Sequence, residues 1–228
     1  LAQYPKAPYN IVALSKWAAK EFKRVYHQEA RYQQSIGIPD IYTLPDKPRG
    51  NRFLCVGRTG AEKGNLEAAQ LCHLLDVPLD IVSARGAELT GQPHTDYEKA
   101  VLALCDGVKI RIFEDSVPTE EKIKLMQSCA ALIYSTGHPE VTSHKVQEAM
   151  FCGAKVIVPN LGAMSEIVTH GVNGFLCNNK TDYIAAIMNL SKLKPMEVYD
   201  ALIDKFSLVK VVERYIPLYK EVANGLHW

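Results

Sequence analysis

The sequence predicts an α/β protein in which a doubly wound parallel sheet carries helices on both faces. Three observations predict it: short apolar runs that end at glycine or proline, helical apolar patterns between those runs, and an ordinary globular composition. Of 228 residues, 47% are hydrophobic and 22% charged, and no stretch approaches the roughly 18 uninterrupted apolar residues of a membrane span. The formal net charge of +1 gives no ground for expecting nucleic acid or an anionic membrane as partner. The six cysteines form no CxxC pair and have no histidines at zinc spacing. Most lie in apolar runs, as expected for reduced, buried thiols in a cytoplasmic protein without a secretory signal peptide.

Each element follows in order. Residues 9–15 (YNIVALS) read as a strand and Lys16 to about His27 as a helix. Residues 28–50, with two glycines, three prolines and many polar residues, read as a connector. One strand and one helix cannot make a core, so residues 1–50 are expected to be the end of a preceding domain plus a linker. From residue 51 the alternation is regular: strand 52–57, helix 65–75, strand 79–84, strand 108–113, helix 120–129, strand 130–134, helix 143–151 and strand 154–159. Ile123, Leu125 and Met126 mark the inward side of the helix at 120–129, and Gly153 suits the end of the helix at 143–151. Two further helices, 182–190 and 198–222, close the chain, with Pro217 expected to kink the second.

In such a sheet ligands bind outside the carboxyl ends of the strands, which directs attention to the loops after 57, 84, 113, 136 and 159. The first candidate is the turn Gly57-Arg58-Thr59-Gly60-Ala61-Glu62-Lys63-Gly64, between a strand and a helix. It fits neither GxGxxG nor the P-loop pattern. It offers Arg58 as a bidentate fork and Lys63 as a mobile point charge, a pair suited to diphosphate oxygens. The alternative is a solvated turn with surface charges. The second candidate runs from Glu140 to Glu148, with Thr142 and Ser143 as candidate N-caps of the helix that follows. A helix start is a ready anion site, and carboxylates beside it suit sugar hydroxyls flanking a phosphate. The alternative is a pair of acids that complement the helix dipole.

Taken together, the strand–GR–x4–KG–helix segment, E-x7-E from Glu140 to Glu148, the run EAMFCGAKVIVP from Glu148 and the stretch GAMSEIVTHGVNGFL from Gly162 resemble retaining glycosyltransferases of family 4. The resemblance spans about residues 51–180. It implies a GT-B fold, two facing α/β domains with the active site between them, of which this chain would be the C-terminal half. Residues 1–50 would end the N-terminal domain, 51–180 form a Rossmann-like nucleotide-sugar-binding domain, and 181–228 form helices that pack on it and reach toward the N-terminal half. It further implies that Arg58 and Lys63 neutralise the donor diphosphate and that Glu140 lies near the donor sugar, these three being the catalytic candidates. Glu148 would bind the ribose hydroxyls, the amides of Ser143, His144 and Lys145 would face the distal phosphate, and the base would lie near residues 113–116.

The implied reaction transfers a hexosyl group from a nucleoside-diphosphate sugar with retention, the leaving phosphate taking the acceptor proton. Glu140 is then not a double-displacement nucleophile. With two cations present and no Asp-x-Asp motif, neither metal nor other cofactor is expected. The expected partner is an N-terminal acceptor-binding half or a partner subunit; nucleic acid is not expected, and peripheral membrane contact is compatible. Two other readings stay open: a non-catalytic nucleotide-sugar-binding or regulatory subunit, and another GT-B enzyme such as a nucleotide-sugar epimerase. The chain departs from the family text at Val141-Thr142-Ser143-His144, where Gly-Phe-Gly is usual, and at Ala163, where a second glycine is usual.

Overall fold

The structure, a computed structural model, describes residues 10–33, 36–83, 95–113, 117–194, 196 and 199–226. Its centre is a six-stranded sheet made of β3 (Phe53–Val56), β4 (Leu79–Val82), β5 (Ile110–Phe113), β6 (Ala131–Ile133), β7 (Lys155–Pro159) and β8 (Gly174–Cys177). The order is β5-β4-β3-β6-β7-β8 and every neighbouring pair is parallel. The strands alternate between two apolar layers. Phe53, Cys55, Ile81, Ile133 and Ile157 face a core shared with α2 (Asn65–Leu74), α3 (Asp96–Leu102) and α7 (Lys180–Met188). Leu54, Leu132, Val156 and Val158 face the opposite core, shared with α4 (Thr119–Ser128), α5 (His144–Phe151), α6 (Met164–Ile167) and α8 (Tyr199–Phe206). Apolar burial on both faces is why these strands read as continuous hydrophobic runs.

Ahead of the sheet, β1 (Val12–Ala13), α1 (Lys16–Tyr26) and β2 (Arg31–Tyr32) form a separate parallel pair with its crossover helix. The β2 strand lies inside the segment read as a connector, because two residues are too short for a period to register. The rest of that segment is not loose either. Ile36, Ile38 and Tyr42 are buried in the core with α4 and α5. Arg49 donates to the carbonyls of Met126 (2.9 Å), Cys129 (3.1 Å) and Cys152, strapping the linker to the sheet layer. Helix α1 has no buried residue and is anchored at its start: the Glu166 carboxylate accepts the Lys16 and Trp17 amides at 2.9 and 2.8 Å. Those are orphan donors of a helix N-terminus, where a negative group also complements the dipole.

The C-terminal segment corrects one expectation. It forms α8 and then α9 (Leu208–Ala223), and the helix runs on through Pro217. The break is at Ser207, which is extended (φ −63°, ψ 145°), because Ile38 inserts there. The Ile38 amide donates to Phe206 O (2.7 Å) and its carbonyl accepts from the Leu208 amide (3.0 Å). A long-range bridge of this kind leaves no local sign. Val108 and Lys109 are not in β5 as expected; their amides, with that of Ile110, are gathered by the Asp106 carboxylate at 2.7–3.0 Å. Strand β8 and helices α3 and α6 are additions to the expected elements. On α9, Val209, Val212, Ile216 and Tyr219 leave an apolar stripe exposed. No described helix is long and apolar enough to cross a membrane.

Five of the six cysteines are buried and all are free; burial pushes Cys72, Cys129, Cys152 and Cys177 up to about 12, so they stay protonated. The edge of the sheet is clamped by one acid. Asp80 on β4, 5% exposed at its side chain, accepts from Arg111 Nε and Nη2 (2.7 Å each) and from Arg52 Nε (2.8 Å). Arg52 also donates to the carbonyls of Leu79, Val108 and Lys109, so the clamp ties three chain segments together. Asp80→Asn is expected to lower unfolding stability by about 2–3 kcal/mol. That is less than the roughly 3–5 kcal/mol of a fully buried pair, since both arginines reach solvent. A urea midpoint unchanged by the substitution would deny the clamp that role.

Candidate active site

The site is assembled where β3 and β6 lie side by side while their following helices leave toward opposite faces. The turn after β3 contains a short 3₁₀ segment (Ala61–Lys63) that ends on Gly64 in the left-handed region (φ +71°). A Cβ at Gly64 would lie 2.5 Å from the Ser135 carbonyl and 2.8 Å from the Thr136 nitrogen. The Ser135 hydroxyl donates to Gly64 O (2.7 Å) and the Thr136 hydroxyl to Glu62 O. A second glycine does the same from the far side. Gly162 (φ +63°) comes so close to Glu140 that a Cβ would lie 2.5 Å from its carbonyl oxygen, and the Ala163 amide donates to that oxygen at 2.9 Å. The missing second glycine at 163 is therefore no obstacle here; its backbone donor is what the site uses.

These contacts bring Lys63 and Glu140 together. Lys63 Nζ donates to Glu140 Oε1 at 2.9 Å, and the two side chains are 24% and 23% exposed. The Tyr134 hydroxyl donates to the same carboxylate oxygen. Burial alone would raise the Glu140 carboxyl, but the Tyr134 and Lys63 hydrogen bonds and the charges of Lys63 and Lys145 outweigh it and hold it below its ordinary value. Burial, with Glu140 beside it, pushes the Tyr134 phenol well up, so it remains a neutral donor. Lys145 places its ammonium 3.4 Å from the centroid of the Tyr134 ring. Arg58 stands on the rim, its side chain 70% exposed and 3.8 Å from Glu62.

The start of α5 departs from the expected capping. Ser143 holds the N-cap position but makes no side-chain cap, and the Thr142 hydroxyl is buried without a partner. Among the described residues, the amides of His144, Lys145 and Val146 have no acceptor, so the helix start is open to an anion. His144 is exposed, and among the described residues no side-chain hydrogen bond ties it to the cluster. Glu148, one turn further on, belongs to a second network: it accepts from Tyr42 OH (2.8 Å) and Lys122 Nζ (3.1 Å). Burial would lower Lys122, but hydrogen bonds with Tyr42 and Glu148 and the Glu148 charge raise it overall.

The structure thus joins Lys63, Glu140, Lys145 and the α5 start, leaves Arg58 at the edge, and sets Glu148 in a neighbouring network. Residues 114–116, near which the base was expected, lie outside the described residues, as does the loop from 84 to 94. Sequence reasoning missed Tyr134, Tyr42 and Lys122. A tyrosine closing the apolar run of β6 is a signal that could have drawn attention to Tyr134; Tyr42 and Lys122 reach Glu148 only through tertiary packing. A cavity of about 450 Å³ lies on the other face of the sheet, between α2 and α7, lined by Glu67, Gln70, Thr136, Asn160 and Asn178 among others. It holds one cation, Lys180, whereas a diphosphate calls for several, so the charge cluster is the stronger candidate. Among the described residues no group of three His, Cys, Asp or Glu side chains is placed to hold a metal ion.

The sheet and its two helical layers define an α/β domain of the GT-B glycosyltransferase type. The family model described as glycosyl transferases group 1 matches residues 43–205, and the chain belongs to that family. It is 25% identical over 203 residues to the human alpha-1,3/1,6-mannosyltransferase ALG2, covering 73% of this chain and 46% of that protein. A solved glycosyltransferase from Rickettsia africae superposes with a TM-score of 0.75 at 19% identity, over 95% of this chain and 64% of its own. The Anabaena protein Alr3699/HepE, solved in complex with UDP and glucose, superposes with a TM-score of 0.70 at 16% identity, over 93% and 63%. The chain therefore spans about half the length of its curated relative and under two thirds of these solved structures.

Gly64→Ala is expected to destabilise the fold by about 1–3 kcal/mol, combining left-handed strain with the clash against Ser135. Chemical denaturation measures this, and wild-type stability would mean that the turn is not pinned to the loop after β6.

Proposed function

We propose that this chain carries the donor site of a retaining GT-B glycosyltransferase, which moves a hexosyl group from a nucleoside-diphosphate sugar to an acceptor held by a facing N-terminal half or partner subunit. The observation that carries the reading is the Lys63–Glu140 pair, flanked by Lys145 and Arg58, at the unpartnered start of α5. Family membership supports it, as do a human relative named a mannosyltransferase and an Anabaena relative in fold solved with UDP and glucose. The apolar stripe on α9 supports a facing protein surface.

In this reading the diphosphate lies across the α5 start. As the bond from the anomeric carbon to the phosphate oxygen lengthens, negative charge grows on the leaving diphosphate. In this reading Arg58, Lys63 and the amides of Ser143, His144 and Lys145 stabilise that developing charge. The acceptor oxygen bonds to the anomeric carbon on the same face, and its proton passes to the leaving phosphate oxygen. Glu140, kept ionised by Tyr134 and Lys63, accepts hydrogen bonds from donor-sugar hydroxyls and forms no covalent bond. Glu148, oriented by Tyr42 and Lys122, keeps lone pairs for the ribose hydroxyls. The charge is carried by side chains, so the reading calls for no metal ion or cofactor.

Calorimetric titration with UDP, GDP and ADP, without divalent metal, tests this. One of the three is expected to bind, with at least tenfold weaker binding in Arg58→Ala. Glu148→Gln should lose more than about 1 kcal/mol of affinity, as befits a charged hydrogen bond. Unchanged affinity in Glu148→Gln would instead favour a general nucleotide-binding domain with no ribose-binding acid.

A further inference from the structure

The resemblance to family 4 assigns Lys145 a role only through its backbone amide, but its side chain occupies the centre of the cluster. A Cβ on Gly57, the residue that ends β3, would lie 3.1 Å from Lys145 Nζ and 3.8–3.9 Å from the Lys63 side chain. The ammonium therefore reaches from α5 across the crevice to the underside of the turn after β3. It rests on the Tyr134 ring, whose hydroxyl is held by Glu140. Among the described residues, it has no carboxylate within ion-pair distance and no hydrogen-bond acceptor. The two other side-chain cations differ from it. Lys63 is already paired with Glu140, and Arg58 lies in solvent beside Glu62. A half-buried ammonium that touches an aromatic face and no acid is incompletely compensated until an anion arrives.

The same segment explains why a side chain takes this task. Where relatives have Gly-Phe-Gly and let backbone approach the phosphate, this chain has Thr142 and Ser143, both buried, with Lys145 projecting beyond them. We propose that the Lys145 side chain is the primary anion anchor of this site and contacts the diphosphate of the bound nucleotide directly. The proposal rests on the donor-site reading above and adds to it a cation that the family pattern lacks.

Titration behaviour gives a readout specific to this side chain. The groups facing it are Cys55 on β3, Glu62 and Lys63 in the turn, and Tyr134 and Glu140 after β6. Burial lowers Lys145 to about 8; Lys63 pushes the same way, while Cys55, Glu140 and Glu62 oppose it. Below that pH the ammonium is charged and available, and a bound diphosphate favours the charged form. The contribution of Lys145 to affinity is therefore constant below about 8 and falls as pH rises above it.

The experiment is calorimetric titration at pH 7 and pH 9, with the nucleoside diphosphate that binds best, on wild type, Lys145→Met and Lys145→Arg. Inorganic pyrophosphate is titrated in parallel at pH 7. Wild type is expected to bind about tenfold more weakly at pH 9 than at pH 7, as loss of one linked proton requires. Lys145→Met should bind at least tenfold more weakly than wild type at pH 7, with no difference between the two pH values. Lys145→Arg should retain binding and lose the pH dependence, because a guanidinium stays protonated. Titrating wild type at pH 8 in two buffers of different ionisation enthalpy measures proton uptake without any variant; zero uptake overturns the proposal even where a variant fails to fold. Nucleotide binding that Lys145→Met leaves intact overturns it while the donor reading stands. Pyrophosphate binding that depends on Lys145, without binding of any nucleotide, upholds the anion anchor and removes the nucleotide reading. Binding of neither removes both.

Discussion

The contact between Gly64 and the Ser135–Thr136 backbone is the constraint on which the rest of the site depends. The strand order β5-β4-β3-β6-β7-β8 reverses direction between β3 and β6, so the chain after each strand departs to a different face and leaves a crevice. Closing that crevice to backbone contact distance requires a residue without Cβ that also adopts positive φ, and Gly64 satisfies both conditions. Lys63 then points across the gap, and Tyr134 and Glu140, on either side of Ser135–Thr136, meet it. Gly162 applies the same logic to the other flank of Glu140.

Charges inside the crevice are arranged so that few are left uncompensated. Glu140 is shared by Lys63 and Tyr134, and Glu148 by Lys122 and Tyr42. Two carboxylates near one helix start would otherwise repel each other and any incoming phosphate. Each is neutralised by a lysine from a different element and oriented by a tyrosine, which fixes its rotamer before a ligand arrives. Such preorganisation removes reorganisation from the binding step and from the transition state alike. The exception is Lys145, which meets an aromatic face in place of an acid.

Outside the crevice, long-range polar contacts hold peripheral segments to the sheet. Arg49 ties the linker to the ends of α4 and α5, Asp80 ties β4 to the residues before β3 and to β5, and Glu166 caps α1 across about two thirds of the chain. Glu166 lies in α6, the short helix that follows the Gly162–Ala163 turn supporting Glu140. The orientation of α1 and the position of the candidate sugar-facing acid are thus set by neighbouring residues of one short segment.

The parallel sheet, its two apolar layers and the Gly57–Gly64 and Glu140–Glu148 segments were legible in the sequence, because strand runs, helical periods and turn glycines are local signals. Pairing lies beyond such signals. Two-residue β2 is too short to show a period, and the interruption at Ser207 comes from Ile38, far away in sequence, while Pro217 stays within a continuous helix. In the site, residue types and spacing indicated Arg58, Lys63, Glu140, Glu148 and the helix start. Tertiary structure alone decided that Lys63 reaches Glu140, that Tyr42 and Lys122 hold Glu148, and that the Lys145 ammonium lies under Gly57. The reason is physical: a side chain's chemistry is carried by its own residue, but its charge state and partners are set by groups that only folding brings within a few ångströms.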